Sequence, residues 1–206
     1  MARRYRLEYR QRKMTREKKR ALREQQPKSP LREFLGWVLY VAVILGATFF
    51  IVTYVGQRTK VSGNSMETAL HNGDNLIVDK LSYRFRDPER YEIIVFPYRH
   101  QENTYYIKRI IGLPGESVQI KNGEVYINGK LLGENYGAEK INIGEEGIAK
   151  DTIVLGKDEY FVLGDNRNHS SDSRDSSVGI LKKEELIGRA FVRIWPLNNI
   201  GVIPHE

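Results

Sequence analysis

The residues of this chain that could do chemistry lie in four polar stretches, at 62–66 (SGNSM), 72–74 (NGD), 108–115 (KRIIGLPG) and 164–174 (GDNRNHSSDSR). The chain has no cysteine, which excludes a thiol nucleophile and thiolate metal sites. A serine becomes a nucleophile when a neighbouring base removes its proton, and the chain has four histidines and many lysines that could be that base. These stretches therefore favour a serine nucleophile with a histidine or lysine base.

Common catalytic patterns are absent from these stretches. Glu67 stands where G-x-S-x-G requires its second glycine, and no serine is followed by a lysine three positions later, as S-x-x-K requires. The chain has no H-E-x-x-H zinc motif, and Arg167 occupies a position where a calcium-binding loop needs an oxygen ligand. The sequence therefore predicts no metal site.

Among the lysines, Lys108 stands in an apolar segment. On an alternating strand it points to the same face as Tyr106 and Ile110. Burial there would lower the pKa of its ammonium group, and a fall of roughly 2–3 units from about 10.4 yields a base near neutrality. The strand period alone favours a second interpretation, in which the side chain extends into solvent. His169, in a stretch rich in serine and aspartate, is the rival base.

Short β-branched or aromatic segments bounded by glycine, proline or asparagine predict strands in the chain after residue 57. They lie at 75–79, 92–96, 104–111, 117–120, 125–127, 160–163 and 190–194. Asn122 and Gly123 predict a two-residue hairpin turn, because both residue types accept positive φ angles, and 128–129 and 72–73 are weaker candidates for the same turn. The fold class is therefore mainly β.

An uncharged segment of 22 residues, from Phe34 to Val55, follows a strongly basic tail. At 1.5 Å per residue it forms about 33 Å of helix, enough to cross a hydrocarbon core. Residues 1–32 carry 13 Lys/Arg against 3 Asp/Glu, whereas the rest of the chain carries 20 against 23. The positive-inside rule then predicts a cytoplasmic tail and an extracytoplasmic remainder. A nucleic-acid-binding domain would instead carry its basic residues on a folded face, so nucleic acid is not an expected partner.

These patterns divide the chain into three expected parts. They are a basic cytoplasmic tail at 1–32, a transmembrane helix at 33–56 and an extracytoplasmic β-domain at 57–206, with a small insertion at about 117–157. We expect the apolar residues Val61, Met66 and Leu70 to be exposed beside Ser65 and to dip into the bilayer. The lipid bilayer is thus an expected partner.

Segments around the four polar stretches resemble, in order, the conserved boxes of bacterial type I signal peptidases, and of Gram-positive-type members in particular. The matching residues are Ser62-Gly-Asn-Ser65-Met66, Gly73-Asp74, Tyr106-Ile-Lys108-Arg109-Ile-Ile-Gly-Leu-Pro-Gly115 and Gly164-Asp-Asn-Arg-x-x-Ser170-x-Asp172-Ser-Arg174. The resemblance implies a coiled β-sheet catalytic domain behind one N-terminal transmembrane helix. It also implies a single-pass serine endopeptidase of the cell membrane that removes signal peptides from exported preproteins without a metal or cofactor.

Carried over by position, the resemblance implies that Ser65 is the nucleophile and Lys108 the general base, with Ser170 orienting that base. The backbone N–H of Ser65 would contribute to the oxyanion hole, and Met66 would pack beside the nucleophile. Structural supports near the site would be Gly63, Arg109, Asp165, Asp172 and Arg174. The resemblance further implies substrates with small residues one and three positions before the cut, and a location near the secretion translocon.

Two departures from the family pattern concern the loop that carries Ser65. The family commonly reads Ser-Met-x-Pro-Thr-Leu, but this chain has Thr68 in the position of the proline. Some members use a serine two residues before the nucleophile as an oxyanion donor, and that position is Gly63 here. The oxyanion hole of this chain would then depend on backbone donors.

Two other classes of protein remain open. Self-cleaving repressors share the Ser/Lys chemistry and a related β fold, but they are soluble and carry an N-terminal DNA-binding module, which the apolar segment replaces here. A membrane-anchored, non-enzymatic β-domain that binds extracellular partners would use the polar stretches only as turns. The non-enzymatic alternative predicts that Ser65→Ala leaves function intact.

Overall fold

The computed structural model describes residues 13–15, 17–18, 30–51, 54, 56–134, 136–137 and 139–205. Most of the predicted basic tail at 1–32 therefore lies outside the described residues. The chain divides into two compact units, the first ending at Phe49 and the second beginning at Phe50.

The first unit contains one long helix, α1 (Pro30–Phe50), none of whose residues is buried. A helix that is apolar all round and is not covered by protein is typical of a membrane span. Within the described parts of the chain, α1 is the one helix long and apolar enough to cross a bilayer. It fits the predicted transmembrane anchor, although it begins a few residues before the predicted start at 33.

The second unit consists mainly of antiparallel strands. In chain order they are β1 (Gly56–Lys60), β2 (Asn75–Asp79), β3 (Ile93–Pro97), β4 (Tyr105–Gly112), β5 (Ser117–Lys121), β6 (Glu124–Ile127), β7 (Lys130–Leu131), β8 (Ile153–Val154), β9 (Glu159–Leu163), β10 (Leu181–Lys182), β11 (Gly188–Trp195) and β12 (Gly201–Val202). A large sheet has the order β1-β2-β11-β3-β4-β9-β10, with β12 paired to β11, and a small sheet has the order β7-β6-β5-β8. The mainly β fold class is thereby confirmed.

Both faces of the large sheet are buried, because its central strands are apolar at successive positions. In β3, Ile93 and Val95 belong to one apolar cluster, whereas Ile94 and Phe96 belong to another. Since successive side chains of a strand point to opposite faces, the two clusters cover opposite faces of the sheet. A continuous apolar run of this kind is typical of a fully buried strand.

The small sheet packs through one face only. Val118 and Ile120 of β5, with Val125 and Ile127 of β6, share an apolar core with Phe161 of the large sheet. Intervening residues of both strands are less buried, so the alternation that predicted these strands also identifies their inner face. The whole small sheet lies within the segment 117–157 that the sequence sets apart.

Two of the three predicted hairpin turns have the expected geometry. Asn122 and Gly123, with φ of 54° and 77°, connect β5 to β6, and Asn128 and Gly129, with 53° and 75°, connect β6 to β7. Both pairs therefore form two-residue turns with two positive φ angles. The prediction of the same turn at 72–73 is wrong, because only Gly73 of that pair has a positive φ, of 96°.

Gly112, at the end of β4, lies where the two sheets meet. A methyl group on it would lie 2.6 Å from Val118, 2.8 Å from Leu155 and 3.0 Å from Phe161. We expect Gly112→Ala to lower the free energy of unfolding by about 1–3 kcal/mol, because a close-packed core resists added volume. Denaturant unfolding of the full chain in detergent, followed by near-ultraviolet circular dichroism, measures the change.

Gly201→Ala is the matched control, because a methyl group there meets no atom within 4 Å. Its free energy of unfolding should stay within about 0.5 kcal/mol of the wild-type value. Equal stability of the two variants would contradict close packing between the sheets at Gly112.

Candidate active site

Ser65 lies on the loop of residues 61–74, which connects β1 to β2. Two backbone hydrogen bonds between Val61 and the turn at 73–74, of 2.8 and 3.0 Å, close the base of this loop. The loop is thereby held as an extension of the β1–β2 pair, and Ser65 is presented beyond the end of both strands.

The apolar residues of this loop point inward, contrary to the predicted membrane contact. Val61, Met66 and Leu70 are only 4%, 2% and 0% exposed, and they pack in the core beneath the large sheet. Leu70 N donates to Met66 O at 2.8 Å, so the segment after Ser65 forms a helical turn that places both side chains on one face. The expectation that these three residues dip into the bilayer is therefore wrong.

Lys108 lies on β4 with its amine next to Ser65. The distance from Lys108 Nζ to Ser65 Oγ is 2.7 Å, although the residues are 43 positions apart in the chain. Lys108 is 4% exposed, and its amine lies 5.1 Å from the centroid of the Tyr106 ring. Burial lowers the pKa of Lys108 from its ordinary value of 10.5 to about 8, against the opposing effect of the Asp172 and Asp165 carboxylates. The interpretation in which Lys108 extends into solvent is wrong.

Two buried ion pairs hold the carboxylates nearest to this amine. Arg109 donates two hydrogen bonds to Asp165, of 2.8 and 2.7 Å, and Arg174 donates to Asp172 at 2.8 and 3.0 Å. Each carboxylate is therefore paired with its own arginine rather than with Lys108. A direct carboxylate partner would raise the pKa of Lys108 and keep it protonated.

The loop of residues 164–174 is bonded directly to the loop that carries Ser65. Asn166 N donates to Ser65 O at 3.1 Å. Behind this contact, a methyl group on Gly164 would lie 2.3 Å from Ser170 Oγ and 2.5 Å from Ser65 O. Only glycine permits this close approach of the two loops.

Ser170 lies beside Ser65 but is not hydrogen-bonded to Lys108 in this structure. Its Oγ atom is buried and has no hydrogen-bond partner among the residues that the structure describes. His169, the other candidate base, lines the cleft above the site and is exposed. The Ser65 hydroxyl is hydrogen-bonded to Lys108, which makes the lysine the base that the geometry favours.

The two positions where this chain departs from the family pattern have unusual backbone geometry. Gly63 has a φ of 92°, and its N–H donates to Asn72 Oδ1 at 3.2 Å. Thr68 has a φ of 95°, which proline cannot adopt because its ring holds φ near −65°. Thr68 Oγ1 donates instead to Tyr136 O at 3.2 Å, which ties this loop to the segment between β7 and β8.

Two side chains help to hold this framework together although no sequence motif points to them. Arg193 of β11 donates to Ala69 O at 2.7 Å and forms an ion pair of 3.1 Å with Asp74. The guanidinium of Arg109 packs over the Tyr136 ring, 4.3 Å from its centroid. Neither Arg193 nor Tyr136 lies in a polar stretch. The one signal for Arg193 is its charge within the otherwise apolar segment 190–194.

A cleft of about 240 Å³ opens above Ser65 and Lys108. β4 forms one of its walls, and it pairs with β3 over all positions from Tyr105 to Arg109. On its other side β4 pairs with β9 only from Arg109 onward. No described strand pairs with that side of residues 105–108, so the cleft is bordered by a free strand edge.

The family model described as "Signal peptidase, peptidase S26" matches residues 34–195, which is more than half of the chain. The chain therefore belongs to the signal peptidase family. The resemblance that the four motifs indicated is thereby confirmed.

Three relatives support the same assignment by their sequence identity to this chain. A probable signal peptidase I-2 of Synechocystis sp. is 42% identical over 84% of this chain and 77% of its own. A signal peptidase I of Leptolyngbya laminosa is 41% identical over 85% and 86%, and one of Bacillus amyloliquefaciens is 35% identical over 86% and 96%. A signal peptidase I crystal structure from Enterococcus faecalis is 35% identical over 50% of this chain and 97% of its own, with a TM-score of 0.43.

These relatives confirm the expected enzyme class, which is signal peptidase I. The non-enzymatic interpretation of the β-domain is therefore wrong. The match to the signal peptidase model across 34–195 also excludes the self-cleaving repressors, because it includes the apolar segment where those proteins carry a DNA-binding module.

Gly164→Ala tests whether the close contact between the two loops matters for activity. The added methyl group would displace Ser65 O, and a misplacement of about 1 Å near the reacting atoms can cost about 10²-fold in rate. We therefore expect kcat/KM for a preprotein substrate to fall by about 10²-fold. Gly201→Ala serves again as the control, and thermal unfolding of both variants separates loss of fold from loss of alignment. A Gly164→Ala enzyme with wild-type activity would contradict the inferred contact.

Proposed function

We propose that this chain cleaves signal peptides from exported preproteins with Ser65 as the nucleophile and Lys108 as the general base. Its family supports the cleavage of signal peptides, and the assignment of the two residues rests on their geometry. The observation that carries the assignment is the 2.7 Å distance between Lys108 Nζ and Ser65 Oγ in a buried setting.

A lysine amine acts as a base only in its neutral form. Because burial lowers the pKa of Lys108 to about 8, roughly a tenth of the amine is neutral at pH 7. In that form the Ser65 hydroxyl donates its hydrogen bond to Nζ, and the proton can follow when Oγ attacks. A lysine has one nitrogen, so it needs no third residue to select a tautomer, as a histidine base does.

The reaction then has two halves. Ser65 Oγ attacks the scissile carbonyl carbon as its proton moves to Lys108 Nζ, and the resulting ammonium protonates the amine of the departing mature protein. In the second half, neutral Lys108 takes a proton from water, whose oxygen attacks the ester on Ser65. The signal peptide leaves with a free carboxylate, and the proton returns to Ser65 Oγ.

The oxyanion formed in each half needs hydrogen-bond donors. In this proposal the backbone N–H of Ser65 is one of them, and a single donor can be worth about 2.7–4 kcal/mol. Gly63 has no side chain to offer, and its N–H already donates to Asn72. Gly63 therefore supports the loop, and the oxyanion hole depends on backbone groups.

The buried ion pairs and Ser170 have positioning roles in this proposal. The pairs Arg109–Asp165 and Arg174–Asp172 hold the strand and loop behind the amine. We give Ser170 a positioning role because a buried hydroxyl without a hydrogen-bond partner is unfavourable. A hydrogen bond to the Lys108 amine would satisfy that hydroxyl and orient the base.

Substrate binding would use the free edge of β4 at 105–108. An extended peptide can add to such an edge through main-chain hydrogen bonds, which supply affinity without a demand for particular side chains. Alternate residues of an extended peptide point to the same side. The first and third residues before the cut would therefore both face the small cleft, which suits the expected preference for small side chains.

We place the enzyme in the cell membrane, with the basic tail in the cytoplasm, α1 as the single transmembrane helix and the β-domain of 57–206 outside. The apolar surface of α1 and the basic charge of the tail support this topology. The segment 117–157 is then a small subdomain of the extracytoplasmic part. A substrate that emerges from the secretion translocon would bring the enzyme close to that assembly.

An exposed apolar surface supports contact between the β-domain and lipid. It is not the surface of Val61, Met66 and Leu70 that the sequence predicted. Trp195, Leu197, Ile200 and Val202 lie on the hairpin from β11 to β12 and are between 52% and 68% exposed. Exposed apolar residues grouped in this way are typical of a membrane or protein contact, and Trp favours the membrane interface. We propose this hairpin as one lipid-contacting surface of the β-domain.

Substitution of each proposed catalytic residue tests the assignment directly. We expect Ser65→Ala and Lys108→Met each to lower kcat for preprotein cleavage in detergent by about 10²–10⁴-fold or more, because each removes a group that takes part in proton transfer or bond formation. Ser176→Ala and Lys121→Met are matched controls on exposed residues and should keep wild-type rates. Near-full activity of either site variant would refute the assignment.

The pH dependence of kcat/KM tests the role of Lys108 separately. Protonation of its amine removes the base, so activity should rise with pH through a limb centred near the pKa of about 8 and level off above it. A profile that is flat through this range would contradict Lys108 as the base.

Ser170→Ala tests the orienting role of Ser170 by the same measurement. It should shift the midpoint of the rising limb of the pH profile, and an unshifted midpoint would count against Ser170 as the orienting group.

A further inference from the structure

A second cavity of the β-domain, of about 800 Å³, shares no residue with the cleft at Ser65. Its walls come from three places in the chain. They are residues 80–84 after β2, 156–159 before and at the start of β9, and 182–187 between β10 and β11. The proposed reaction makes no use of this cavity, which we name the β2–β9 cavity.

Basic side chains are in excess around the β2–β9 cavity. The five of them are Lys80, Arg84, Lys157, Lys182 and Lys183, against three acidic residues. Lys183 is paired with Asp87, which is not among the lining residues. Within the described part of the chain, Arg84, Lys157 and Lys182 form no ion pair with a carboxylate. One of the three lining carboxylates, that of Glu159, accepts a hydrogen bond from Gly156 N at 2.7 Å. The cavity therefore presents unpaired cations to whatever enters it.

The inner wall of the β2–β9 cavity is apolar. Leu186 and Tyr83 belong to one of the apolar clusters of the large sheet, and Ile187 completes the wall. Phe85, next to Arg84, is 81% exposed. Cations at the mouth, an apolar wall behind them and an exposed aromatic ring beside them suit an amphiphilic anion better than a free inorganic one.

The rim of the β2–β9 cavity contacts a residue that follows α1 closely in the chain. The guanidinium of Arg84, at its rim, lies 5.5 Å from the centroid of the Tyr54 ring. Tyr54 follows the last residue of α1, Phe50, by four positions, so the two residues are at most about 14 Å apart. If α1 spans the membrane as proposed above, this short connection keeps the Arg84 rim of the cavity near the membrane surface.

We propose that the β2–β9 cavity binds the head group of an anionic phospholipid of the outer leaflet. Arg84, Lys157 and Lys182 contact the phosphate, the apolar wall accommodates the glycerol end of the acyl chains, and Phe85 lies in the interface. The bound lipid fixes the height of the β-domain above the bilayer.

Hydrogen–deuterium exchange of the full chain in nanodiscs tests this proposal. Discs of phosphatidylcholine are compared with discs that contain increasing fractions of phosphatidylglycerol. We expect phosphatidylglycerol to slow exchange at 80–86 and 156–159. In the triple variant Arg84→Gln/Lys157→Gln/Lys182→Gln, the apparent affinity for this lipid should fall about fivefold for each charge removed.

A variant with the same loss of charge on the small sheet is the matched control. Lys121→Gln/Lys130→Gln/Lys150→Gln removes three exposed lysines that do not line the cavity, and it should keep the wild-type response. Both triple variants should cleave a soluble peptide substrate at the wild-type rate, because neither touches the cleft. Equal protection in pure phosphatidylcholine, or an unchanged response of the first variant, would overturn the proposal.

Two further outcomes would also count against the binding of a lipid head group in the β2–β9 cavity. If inorganic phosphate added to phosphatidylcholine discs reproduces the protection, the ligand is a free anion and the lipid assignment is wrong. If the wild-type chain does not enter discs at all, the membrane anchor on which this proposal rests is refuted. Failure of the anchor is thus distinguishable from failure of the cavity to bind lipid.

Discussion

The removal of the Lys108 amine from water is the constraint on which the rest of this site depends. An ammonium group is unfavourable in apolar surroundings, so its pKa falls towards the range where a base is useful. That effect would be cancelled if Asp165 or Asp172 paired with the amine directly. Arg109 and Arg174 bind these carboxylates instead. In the proposed mechanism the two ion pairs would therefore support catalysis, because they keep both carboxylates out of direct contact with Lys108 and also hold the backbone.

The alignment of Ser65 with this amine depends on contacts between segments that are far apart in the chain. Asn166 N donates to Ser65 O, Arg193 donates to Ala69 O across 124 positions, and Thr68 donates to Tyr136 O in the segment between β7 and β8. Each contact alone is an ordinary hydrogen bond, worth about 0.5–1.5 kcal/mol. Together they mean that the 2.7 Å geometry exists only when the whole β-domain is folded.

Most of the fold could be predicted from short-range patterns. β2, at Asn75–Asp79, has the predicted bounds, and the turn at 122–123 has the predicted geometry, because apolar period and positive φ are properties of neighbouring residues. β1 could not be predicted. Its sequence, GQRTK, is polar. Among the described strands it is an edge strand that pairs with β2 alone, so its partner rather than its own pattern determines it.

The sequence by itself determined which residues are available for chemistry, because the order and spacing of the four motifs single out Ser65 and Lys108. Only the tertiary structure decided which of these side chains are buried. The strand period alone favoured a solvent-exposed Lys108, and the loop position of Met66 and Leu70 suggested exposure, but all three are covered. Strand period and turn preference arise between neighbours in the chain. Burial, and with it the pKa of Lys108, arises from distant segments that pack over a side chain only once the domain has folded.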